Sequence, residues 1–94
     1  MARFTTRVEL HNTNDDDYKT LHKAMEAEGF SRIIVDSKGV RYHLPTAEYN
    51  LVADLTLPQV LDSAERAAAK TKRSASILVT KSNGRLWSKL PPVT

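Results

Sequence analysis

Over residues 3–11 apolar and polar positions alternate: Phe4, Thr6, Val8 and Leu10 fall on one side, Arg3, Thr5, Arg7, Glu9 and His11 on the other. A period of two predicts a strand with one buried face. The period then changes. Tyr18, Leu21, His22 and Met25 recur at helical spacing, behind Asn12-Thr13-Asn14 and the run Asp15-Asp16-Asp17. An Asn or Thr cap and three carboxylates suit the positive end of a helix, so a helix is predicted over residues 14–28. Gly29 ends it, with Phe30 folding back onto it. Arg32-Ile33-Ile34-Val35 reads as a second strand and Asp36-Ser37-Lys38-Gly39 as a turn. A third extended segment begins at Val40, is interrupted by Pro45, and resumes over residues 48–54. Thr56 and Gln59 form a capping box around Pro58 and open a second helix. Its stripe of Val60, Leu61, Ala64, Ala67 and Ala68 is alanine-rich and lets the helix lie close to a sheet. Ser76-Ile77-Leu78-Val79-Thr80 is a fourth strand, and Asn83-Gly84 predicts a hairpin returning through Leu86-Trp87-Ser88.

The predicted order is β-α-β-β-α-β with an extra C-terminal hairpin strand. Two right-handed split units with both helices on one face make an α+β, ferredoxin-like sandwich. Residues 1–94 are expected to form a single domain, since no repeat, low-complexity tract or linker divides them.

The chain has 94 residues, 40% hydrophobic and 27% charged, ordinary for a small globular domain. It contains no cysteine, which excludes disulfides, thiol catalysis and cysteine-ligated metals. No apolar run reaches membrane-spanning length and the first residues lack a signal-peptide core, so a cytoplasmic protein without a membrane partner is expected. The net charge of +3 conceals a division. Residues 1–65 hold all eleven acids against seven Lys and Arg, net −4; residues 66–94 hold seven bases and no acid. A one-signed segment attracts polyanions such as RNA. The plainer account of the same charges is solubility and the negative end of a helix.

In this topology one sheet face is free of helices. Thr5, Arg7, Glu9 and His11 of the first strand are expected there, with Arg41 and His43 of the third, or Glu48, Asn50 and Asp54 beyond the proline. None is aromatic, which argues against an RNA-recognition motif that stacks bases. Metal-free RNA cleavage needs a base for the 2′-hydroxyl, an acid for the leaving oxygen and a cation for the phosphorane. His11 and His43 are the candidate acid and base and Arg7 the candidate cation. Arg41, Arg66, Lys70, Lys72, Arg73, Lys81, Arg85 and Lys89 are the candidate phosphate contacts. Each is equally an ordinary exposed residue. The histidines show no HxH or HxxxH spacing and no cofactor motif occurs, so neither metal nor cofactor is expected. The Asp15-Asp16-Asp17 run is explained by the helix start. Trp87 is the single tryptophan and reads either as a plug at the sheet edge or as an interface anchor.

Phe4-x-Thr6-x-Val8, Tyr18-x-x-Leu21-x-x-x-Met25, Phe30-Ser31, Asp36-x-x-Gly39, Leu44 and Tyr49 together resemble the GhoS family, the antitoxins of type V toxin–antitoxin systems. The resemblance spans most of residues 4–65. It implies a ferredoxin-like fold and a sequence-selective endoribonuclease that cuts the messenger RNA of a membrane-active toxin. It assigns no catalytic set. Two readings follow: an RNA-binding, RNA-cleaving antitoxin acting on single-stranded mRNA, and a contact-acting inhibitor that binds a protein. A homodimer through the free sheet face is a third arrangement.

Overall fold

Nine residues of strict alternation become the central strand. In the computed structural model, which describes residues 1–94, β1 (Ala2–Leu10) buries Phe4, Thr6, Val8 and Leu10 and leaves Arg3, Arg7 and Glu9 exposed. It is flanked by β4 (Glu48–Ala53) and β5 (Ala75–Ser82), both antiparallel, in the order β4-β1-β5. The register opposes Thr5 to Asn50 on one side and to Thr80 on the other. The remaining strands, β2 (Ile33–Val35) and β3 (Arg41–His43), form a separate two-stranded ribbon. One bridge, Ser31 to Asn50, ties the ribbon to the main sheet. The molecule is therefore α+β with two helices and two sheets rather than one continuous sheet. Pro45 and the turn at residues 45–47 part β3 from β4, as the position of the proline predicts.

Both helices start where their caps are. Helix α1 (Asp15–Ala27) has Asn14 and Asp17 in a reciprocal capping box, and α2 (Leu57–Ala69) has Thr56 and Gln59 in another. α1 ends in a full Schellman motif: Gly29 N–H donates to Glu26 and Phe30 N–H to Met25, with Gly29 at φ +99°. Phe30 and Met25 are buried together, the apolar contact that accompanies this cap.

The helices cover one face of the main sheet. Phe4, Val8, Leu21, Met25, Tyr49 and Val60 form the centre of the core, closed by Ala64, Ala67 and Ala68 of α2. Two ion pairs link the halves of the chain: Arg66 to Glu28 at 3.0 Å and Arg73 to Asp17 at 2.9 Å. No helix is long and apolar enough to cross a membrane.

The C-terminal hairpin strand does not form. A two-residue type I′ turn needs positive φ at both central residues, and neither Asn83 nor Gly84 has it. The segment after β5 instead crosses the helix-free side and lies beside β3. There His43 N–H donates to Pro91, Val93 N–H donates to Arg41, and Tyr42 bridges Pro92.

Candidate nucleic-acid interface

The alternation that buries Phe4 sends Arg3, Thr5, Arg7, Glu9 and His11 to the side away from the helices. The same parity puts Glu48, Asn50 and Val52 of β4 there, and Ser76, Leu78 and Thr80 of β5. The C-terminal segment lies over part of this face. Its anchor is Arg85, whose guanidinium donates to Asn50 Oδ1 at 2.7 Å and to Thr5 Oγ1 at 3.4 Å. Trp87 packs edge-on against Tyr42, ring centroids 5.7 Å apart, and remains partly exposed. Between this segment and the sheet lies a cleft of about 510 Å³ lined by Arg3, Arg85 and Trp87 with Asp36 and Ser37.

Arg3 and Arg85 are the cations of that cleft, and neither has a carboxylate partner. Burial, and then the charge of Arg3, lowers the pKa of Arg85 from the usual arginine value. Two guanidiniums held close without an intervening anion make a field suited to phosphate. Asp36, the one carboxylate of the lining, forms no ion pair with either guanidinium; its oxygens accept from Lys38 N–H and Val40 N–H of its own turn and from the Tyr42 hydroxyl.

A second cleft, of about 390 Å³, opens on the other side of the molecule between α1 and the β2–β3 ribbon. It is lined by His22, Glu26, Ser31, Arg32, His43 and Tyr49, with Phe30 and Ile33 as its apolar wall. His22 Nδ1 lies 2.6 Å from the Tyr49 hydroxyl. Burial and the nearby Arg32 charge hold His22 below its usual pKa, and burial pushes the Tyr49 phenol well up. The Arg32 Nε–H is buried with no acceptor.

The expected site residues are distributed over both sides. His11 is exposed near the start of β5, with its Nε2 2.8 Å from Ser76 Oγ. Arg7 is paired with Glu9 at 3.3 Å. His43 lines the second cleft, beside α1. Tyr42 faces Trp87, so its neighbours Arg41 and His43 point to the opposite side of the ribbon. The expectation that Arg41 and His43 share a face with Arg7 and His11 is thus corrected, because the ribbon is not a continuation of the main sheet. The basic segment is dispersed too. Arg66 and Arg73 hold α1, Lys70 and Lys72 lie at the end of α2, and Lys81 sits opposite Phe4 on the helix side. Arg85 and Lys89 lie in the segment that crosses the free face.

Sequence reasoning missed Arg3, Arg32 and the pairing of His22 with Tyr49. Strand parity put Arg3 on the polar side of β1 without marking it as a site residue; Arg32 depends on where the ribbon lands and the His22–Tyr49 pairing on how α1 packs over β4, neither of which a local pattern encodes. No three His, Asp or Glu side chains converge closely enough to hold a metal ion. Comparison with known proteins finds no family model that matches this chain and no curated protein similar to it.

Proposed function

We propose that this chain is a small cytoplasmic RNA-binding protein of antitoxin type, holding single-stranded messenger RNA on its helix-free face. The observation that carries the reading is the Arg3–Arg85 pair, two cations without carboxylate partners beside a partly exposed tryptophan. Phosphates go to the guanidiniums, and a base stacks on Trp87, a contact tolerant of sequence. The likeness to GhoS and its ferredoxin-like fold agrees with this. The order β4-β1-β5 is compatible with three neighbouring strands of a ferredoxin-like sheet, and the isolated Ser31–Asn50 bridge brings the residues just before β2 beside β4. Cleavage is the finer part of this reading and has no free acid–base pair on the RNA face: His11 and Arg7 already have partners, and His43 lies in the second cleft.

The test is fluorescence anisotropy of a labelled single-stranded RNA. Trp87→Ala is expected to weaken binding about tenfold, the scale of one lost stack, while Trp87→Phe retains most of the affinity. Absence of binding at low salt overturns the reading.

The second reading, an inhibitor acting by contact with a protein, has one observation in its favour. β5 is paired on one side only, and Leu78 on it is 63% exposed. An open edge of this kind accepts a partner strand.

A further inference from the structure

We propose that the cleft between α1 and the β2–β3 ribbon is an anion site that takes a terminal phosphomonoester, separate from the RNA face and independent of it. Arg32 lines this cleft. This residue follows the Ser31–Asn50 bridge, and its backbone carbonyl accepts from Leu44, so the main chain there is fixed on both sides. Its side chain is half-buried, forms no ion pair, and carries an Nε–H that is buried without an acceptor. An unmet hydrogen bond on a charged group is costly, and the fold around Arg32 gains nothing visible from it. A guanidinium in that condition is matched by an oxyanion, which it binds in a fork.

The neighbours are donors as well. The Tyr49 phenol stays protonated, and its one acceptor within reach is His22 Nδ1. The neutral imidazole then carries its proton on Nε2, where it becomes a fixed donor. Tyr18 and Tyr49 stand tilted against the ring, at centroid distances of 6.3 and 5.7 Å, and hold its plane. Ser31 Oγ accepts from Ile33 N–H, which leaves its own hydrogen free to donate. His43 stands exposed on β3, the strand that pairs with Ile33.

Glu26 is the single carboxylate of the lining, and it is exposed on the α1 rim. It repels a ligand whose charge continues along its length, such as an internal phosphodiester chain. A ligand with one terminal dianion and a hydroxylated body satisfies both Arg32 and Glu26. At about 390 Å³ the cleft lies at the small end of ligand sites, the size of a mononucleotide. The same chemistry is offered by a free nucleoside 5′-monophosphate and by the phosphorylated 5′ end of an RNA.

The experiment is an NMR titration of the full chain that follows the ring signals of His22 and His43. The ligands are inorganic phosphate, a nucleoside 5′-monophosphate, and short RNAs bearing either a 5′-phosphate or a 5′-hydroxyl. Both rings are expected to shift saturably with phosphate and more tightly with the monophosphate. Arg32→Gln should weaken the monophosphate about tenfold, the value of a lost charge-assisted fork. Arg32→Lys, which keeps the charge without the fork, should fall between. Circular dichroism verifies that both variants are folded. Tighter binding of 5′-phosphorylated RNA identifies an RNA end as the source; equal binding of the two RNAs, neither displacing the monophosphate, identifies the free nucleotide. Unmoved ring signals at millimolar phosphate overturn the proposal, as does equal affinity in Arg32→Gln. Displacement of the monophosphate by 5′-hydroxyl RNA also overturns it, by making the two clefts one surface. If RNA binds nowhere while the ring shifts persist, the RNA reading fails and this site stands.

Discussion

Thr6 points from β1 into the core, fully buried, and its hydroxyl has no hydrogen-bond partner. The strand needs a β-branched residue here, which valine supplies in nearly the same shape without the unmet polar atom. Thr6→Val should therefore raise stability by about 1 kcal/mol, read as a higher midpoint in urea with unchanged slope. A lower midpoint would mean that the hydroxyl has a role the packing does not display. His22 makes a prediction of the opposite kind. Its pKa is lowered below 6.5 by burial and then by Arg32, so the unfolded chain binds the extra proton first as pH falls. Its contribution is full above the unfolded value and is lost as pH drops below it. One proton limits the slope to about 1.4 kcal/mol per pH unit, and partial solvation of the ring makes it smaller. Stability should decline from about pH 7 to pH 5.5 in the wild type, and His22→Gln should flatten that decline. Asp17, whose pKa is lowered from 3.8 chiefly by the Asn14 backbone, acts at lower pH and does not confuse the measurement. An identical decline in His22→Gln would remove His22 as the cause.

At the scale of elements, the features legible in the sequence are those fixed by neighbours in the chain. α1 and α2 begin at the caps Asn14 and Thr56 because each cap satisfies backbone donors only three residues away. Gly29 ends α1 for an equally local reason. The Asp36 turn is closed by its own carboxylate and by Gly39 at φ +84°. The break at Pro45 is local as well. Asn83-Gly84 is the instructive miss. Its hairpin preference is worth little against Arg85 reaching Asn50 and Thr5, Trp87 packing on Tyr42, and the chain pairing beside β3. Those partners lie 35 to 80 residues away in sequence. The site followed the same rule. The helix-free side of β1 was readable from its alternation, while the side on which His43 emerges depended on a ribbon joined to the sheet by one bridge. Trp87, too, gained its neighbours by long-range packing, so an aromatic came to a face that β1 and β4 leave without one.

For the whole molecule, the division of charge is the property most changed by folding. In the sequence, seven bases in the last 29 residues look like one polyanion-binding stripe. In the fold, Arg66 and Arg73 are spent on Glu28 and Asp17, ion pairs that fasten α1 to the later half of the chain. Lys70 and Lys72 crown the end of α2, Lys81 emerges on the helix side, and Arg41 lies on the far side of the ribbon. The helix-free face retains Arg3 and Arg85 as unpaired guanidiniums, with Arg7 beside Glu9. Single-stranded RNA releases about 0.7 counterion per neutralised phosphate. Two or three contacts then give a log–log salt slope of about −2, whereas seven would give about −5. Anisotropy titrations across a salt series should return the smaller value. Arg85→Gln should reduce it by about 0.7. Arg66→Ala and Arg73→Ala should leave the slope unchanged and lower the Tm, because they loosen α1 without touching RNA. A slope near the larger value, or one that falls in Arg66→Ala, would mean that the RNA wraps around the molecule to the helical side, and the single-face assignment would have to be abandoned.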